Sequence, residues 1–120
     1  MNQKSIEDFE KLYVQIVGVK AELDLLSKKA PNDSVNKFKL SFVNQLLESA
    51  NKLLQSEYLP FSTFTLFDVE TMPSNSDAVF ILNQYIKCLN RLKLDNTKQN
   101  MGQWLWQLED GSQIKTSRPD

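Results

Sequence analysis

Histidine is absent from this chain, and cysteine occurs only once, as Cys88. Without histidine there is no Ser-His-Asp or Cys-His arrangement, no imidazole base working near neutral pH and no His-containing zinc site. A single cysteine forms no internal disulfide, which removes the small secreted scaffolds and points to a reducing, cytoplasmic setting. Three glycines leave little material for a phosphate-cradling loop. No run of 18 apolar residues is present, and Met1 to Glu10 lacks the continuous apolar stretch of a secretory leader, so neither a membrane span nor export is expected. Net charge is −1, with 14 basic residues against 15 acidic ones, whereas a duplex-binding protein gathers a basic excess.

What remains is a chain of 120 residues, 41% hydrophobic, enough for a single domain with its own core. The expected fold is mainly α: a three-helix antiparallel bundle with an aromatic connection and a small C-terminal β-hairpin. The first helix is read over 5–29, with Ser5 as its cap, an acid at Asp8, and Pro31 ending it. Phe9, Leu12, Ile16, Val19, Leu23 and Leu26 follow at steps of three and four, the stripe of a helix seam.

The opposite side of that helix carries a second stripe, Val14, Gly18, Ala21 and Leu25. Glycine costs a helix interior about 1 kcal/mol relative to alanine, so Gly18 requires a reason. Either this helix lies centrally within its own domain, or the second stripe meets a symmetry mate and the protein is a homodimer.

A second helix is read over 34–57, capped by Asp33 or Ser34, with Val35, Phe38, Phe42, Val43, Leu46, Leu47, Ala50, Leu53 and Leu54 on one broad apolar face. A third is read over 75–94, where Ser74 and Asp77 repeat the cap-and-acid spacing. Its buried face is Ala78, Val79, Leu82, Tyr85, Ile86, Leu89 and Leu92, with Cys88 at the edge as a small hydrophobe. Phe80 falls among polar residues, so something should cover it.

Between the second and third helices, residues 59–73 are too long for a plain bundle connection and too aromatic for disorder. Phe61, Phe64 and Phe67 recur every third residue. They either plug the open end of the bundle or stay exposed as a contact surface, and 63–67 could alternatively be a short strand. The stretch 95–102 reads as an ordinary connection. From Gln103 the period becomes two, and a hairpin is expected over 103–116. A three-residue loop, Glu109 to Gly111 with glycine left-handed, pairs Trp106 with Ile114 and Trp104 with Thr116, placing the apolar groups on one face. Residues 117–120 are expected to be loose.

Candidate chemistry is thin. Asp68 and Glu70 have the makings of acid–base work or a hard-cation ligand, but no further ligands are in view. Glu7, Asp8 and Glu10 suit the start of a helix. Lys87, Arg91, Lys93 and Lys98 form a local basic group, read first as a solvated helix face and second as a nucleic-acid contact. With no catalytic, metal or cofactor residue assigned, the leading expectation is a protein-interaction module that binds a protein partner or itself. Phe61, Phe64, Phe67, Phe80, Trp104 and Trp106 are candidate contact residues. The rivals are a ligand binder or carboxylate enzyme with a pocket at the Phe-rich segment, and a nucleic-acid-associated regulator.

Overall fold

The computed structural model describes residues 1–120. Three helices, α1 (Gln3–Lys29), α2 (Lys37–Tyr58) and α3 (Asn75–Asp95), are followed by strands β1 (Thr97–Asn100), β2 (Gln103–Gln107) and β3 (Gln113–Thr116). No helix is long and apolar enough to cross a membrane.

The expected stripe of α1 is its core face: Phe9, Leu12, Ile16 and Leu23 are buried, joined by Ile6. The helix starts earlier than expected because Asn2, not Ser5, is the cap. The Asn2 side chain accepts from the Ser5 amide at 2.8 Å, and Ser5 Oγ accepts from the Asn2 amide at 3.0 Å. For α3 the expected box is present, with Ser74 and Asp77 bonded reciprocally. Its core residues are Ala78, Ile81, Leu82, Tyr85, Leu89 and Leu92.

Helix α2 begins later than the pattern suggests. Residues 31–35 pair with the chain entering α3: the Val35 amide donates to the Pro73 carbonyl, and the Asn75 and Ser76 amides donate to Asp33 and Pro31. Backbone committed to that pairing cannot also turn helical, so the cap passes to Asn36, whose side chain accepts from Phe38 and Lys39. The apolar face of α2 is also wider than its neighbours can cover. Leu40, Val43, Leu47, Ala50 and Leu54 are buried, while Phe38 and Phe42 are left exposed, contrary to their expected place in the core.

The connection 59–73 holds no strand; its only regular piece is a 3₁₀ turn, Val69–Thr71. Two asparagines of α2 hold it. Asn44 bonds Phe67 twice, donating to its carbonyl and accepting from its amide, both at 3.0 Å. Asn51 donates to the Thr65 carbonyl and accepts from the Tyr85 hydroxyl at 2.6 Å.

The C-terminal part is a three-stranded antiparallel sheet in the order β1-β2-β3 rather than a lone hairpin. Strands β2 and β3 pair in the expected register, Trp106 with Ile114 and Trp104 with Thr116, and Gly111 is left-handed (φ 87°). The extra strand β1 returns into β2 through Met101 and Gly102, both at positive φ, the arrangement that suits the twist of a two-residue hairpin.

A candidate protein-docking surface

The second stripe of α1 is not covered by the fold. Val14 is 73% exposed and Leu25 63% exposed. Gly18 and Ala21 between them are exposed as well. A Cβ built on Gly18 would meet no atom within 4 Å, so no neighbour in this chain demands a glycine there. The reading that places α1 centrally within its own domain is therefore overturned: α1 is buried on one side only.

Beside this stripe runs the uncovered edge of α2. Phe38 and Phe42, 72% and 47% exposed, lie edge to face at 5.1 Å. The two helices meet at an open surface cleft in which Val14, Val19, Phe42 and Leu46 stand among Gly18, Gln15, Glu22, Gln45 and Ser49. The face is two helices wide and mixes apolar groups with polar ones. Sequence patterning found its α1 half; it placed the α2 half in the core, because periodicity reports a face but not how much of that face a neighbour reaches.

The phenylalanines of the connection divide differently. Phe61, Phe64 and Phe67 are half-buried and pack against the core. The Phe64 ring meets Phe67 edge-on at 5.1 Å and Tyr85 at 6.4 Å. Phe80 is stacked on Phe61 at 6.1 Å yet stays 55% exposed. Trp104 is half-buried, and Trp106 is fully enclosed.

Trp106 belongs to a polar cluster that sequence reasoning missed. Its indole Nε1 donates to Glu10 Oε1 at 2.7 Å, and Thr116 Oγ1 donates to the same oxygen at 2.7 Å. Lys93 lies 4.0 Å from that oxygen, donates to Ser117 Oγ at 3.1 Å, and rests 5.8 Å from the centre of the Trp106 ring. Burial pushes the Lys93 ammonium below its ordinary pKa, opposed by the charges of Glu10 and Asp120. Next to it, Tyr13 donates to Asp120 at 2.6 Å and accepts from Asn90. Burial first, and the Asp120 bond second, raise the Tyr13 pKa. Residues 117–120 are thus tied to α1 and α3 through Ser117 and Asp120 instead of hanging loose. The cluster clamps the sheet onto both helices.

The structure divides the local basic group, with Lys87, Arg91 and Lys98 on the surface and Lys93 inside. Lys93 is buried, Arg91 is paired with Asp95 at 3.3 Å, and only Lys87 and Lys98 remain exposed and unpaired. Asp68 is occupied in capping the 3₁₀ turn, accepting from the Glu70 amide. Cys88 is half-buried, and desolvation raises its thiol pKa, away from the thiolate that nucleophilic chemistry needs. No protein-family model, no curated protein and no solved structure matches the chain.

Proposed function

We propose that this protein is a non-catalytic interaction module that docks a protein partner on the α1/α2 face, in the cytoplasm. The observation that carries the reading is that exposed Val14 of α1 and Phe42 of α2 share one open cleft beside Gly18, with exposed Phe38 packed edge to face on Phe42 and exposed Leu25 further along α1. Scattered surface leucines need no explanation, but a contiguous apolar patch marks a contact site. The lone half-buried Cys88 suits a reducing compartment.

The magnitudes favour a modest affinity. Fully burying a side chain of this kind is worth about 1.5–3 kcal/mol, and these four are already partly covered. Association itself costs about 4–15 kcal/mol, so these four side chains offset only the lower end of that cost and the partner must add contacts of its own.

The test compares three baits in native lysate: the wild type, Leu25→Glu and Phe80→Ser. Leu25 is on the surface, so its replacement should leave the thermal midpoint within about 2 °C. The expected result is a partner retained by the wild type and by Phe80→Ser and lost with Leu25→Glu. A partner that Leu25→Glu retains, or one lost only with Phe80→Ser, would move the docking surface away from α1.

A further inference from the structure

Residues 117–120 follow β3 without joining it, and no backbone hydrogen bond holds them. Two side-chain bonds do so instead. Ser117 Oγ accepts from Lys93 Nζ at 3.1 Å, and the Asp120 carboxylate accepts from the Tyr13 hydroxyl at 2.6 Å. The groups that receive them form a notch between α1 and α3. Asn90 and Lys93, three apart on α3, share a face of that helix. Asn90 Nδ2 donates to the Tyr13 oxygen at 3.1 Å, which leaves the phenol proton for Asp120.

The notch offers more than its occupant uses. Lys93 is 4% exposed, and an ammonium carries three donors, yet the bond to Ser117 is the one hydrogen bond it makes. Glu10 Oε1 lies 4.0 Å away, beyond hydrogen-bond reach, and already accepts from Trp106 and Thr116. A carboxylate in place of the Ser117 hydroxyl would pair charge with charge and accept from more than one of those donors.

Charge outside the notch points the same way. The segment runs from Lys93 towards Asn90. About one turn further along α3 stands Lys87, exposed and in no ion pair within the chain. Glu10 offsets part of the Lys93 charge, and Lys87 adds to it, so the path beyond Asp120 favours acidic side chains.

We propose that Tyr13, Asn90 and Lys93 form a docking site for a short acidic peptide with two carboxylates three residues apart, and that the chain's own Ser117–Asp120 segment closes this site in cis. The site is separate from the α1/α2 face, and neither reading depends on the other. Proximity holds the segment in place, because a short tether gives an effective concentration on the order of millimolar. A partner peptide has to exceed that, and an acid where the segment has Ser117 supplies the margin.

The probe is the acetylated and amidated peptide Asp-Arg-Pro-Asp, titrated into nitrogen-15-labelled full chain. The Asn90 side-chain amide and the Trp106 indole N–H are followed by NMR. In Ser117→Ala with Asp120→Ala, which removes both anchors, the two signals should shift saturably, with half-saturation at least about tenfold below that of the wild type. The peptide Ala-Arg-Pro-Ala should move neither signal. Adding Lys93→Met or Tyr13→Phe to that variant should weaken binding about tenfold or more. Tyr13→Phe keeps the ring stacked on Phe9 at 6.0 Å, so its effect reads the lost hydroxyl and not the fold. Equal half-saturation in the wild type and the anchorless variant would overturn closure by 117–120. Binding that survives both receptor substitutions, or no shift at about 5 mM peptide, would overturn the docking site.

Discussion

Replacing Gly18 with alanine separates the needs of the fold from those of the surface. Gly18 lies well inside α1 (Gln3–Lys29), far from either cap, and its φ is not positive. The new methyl group would find no atom within 4 Å, so no steric cost offsets the intrinsic preference of the helix. The full propensity difference of about 0.8–1.0 kcal/mol should therefore appear as added stability. Unfolding entropy near ~2.1 cal/mol/K per residue, applied to this chain, turns that gain into a midpoint rise of about 4 °C. The assay is thermal unfolding followed by circular dichroism. Gly18→Ala should melt about 4 °C above the wild type. A midpoint that falls would refute the reasoning: the glycine would then be required inside the fold, and α1 would not present an open face.

Lys93→Met should be neutral or stabilising by up to about 1–2 kcal/mol at pH 7, since exchanging a buried ion for an apolar side chain removes its desolvation cost. Glu10 is not stranded by the change, because it keeps the bonds from Trp106 and Thr116. The pH dependence carries the sign. The folded pKa of Lys93 is lowered, so between that value and the unfolded 10.5 the unfolded chain holds a proton the folded one has released, and wild-type stability rises with pH. Urea titrations from pH 7 to 10 should show that rise diminished in Lys93→Met. Above pH 10 stability falls in both, because the raised pKa values of Tyr13, Tyr58 and Tyr85 act in the opposite sense. Trp106→Phe removes the indole donor to Glu10 and leaves a void in an enclosed site, which should cost about 2–4 kcal/mol in urea unfolding; a loss below about 0.5 kcal/mol would mean that the sheet is not clamped through this residue. Asn44→Ala frees both backbone groups of Phe67 and should cost about 1–2 kcal/mol. Its signature is faster amide exchange at Phe67 with exchange across α1 unchanged.

Several features were legible before any tertiary structure. Apolar spacing located the core face of α1, and Ser74 with Asp77 marked the start of α3, because capping is a local contest among neighbouring backbone and side-chain groups. The register of β2 on β3 followed from a single constraint, that Trp104, Trp106 and Ile114 share a face. Strand β1 was not legible. Thr-Lys-Gln-Asn has no apolar alternation, and only Thr97 is buried, so its strand character comes from the β2 edge it pairs with. Lys93 was misread for a related reason: a lysine within an exposed-looking run is buried only once the sheet folds back and lays Trp106 and Ser117 over it.

Composition and spacing by themselves determined the class of fold, the three helices, the hairpin register and the second stripe on α1, all of which depend on interactions within a few residues or on one period. Tertiary structure alone decided which apolar stripes are covered. It buried the first face of α1 against α3 and α2 and left Val14, Gly18 and Leu25 open. It turned Phe38 and Phe42 outward and drew Glu10, Lys93 and Trp106 together from three distant elements. The physical reason is that a helix presents its full circumference to solvent until packing assigns neighbours, and burial is a property of those neighbours.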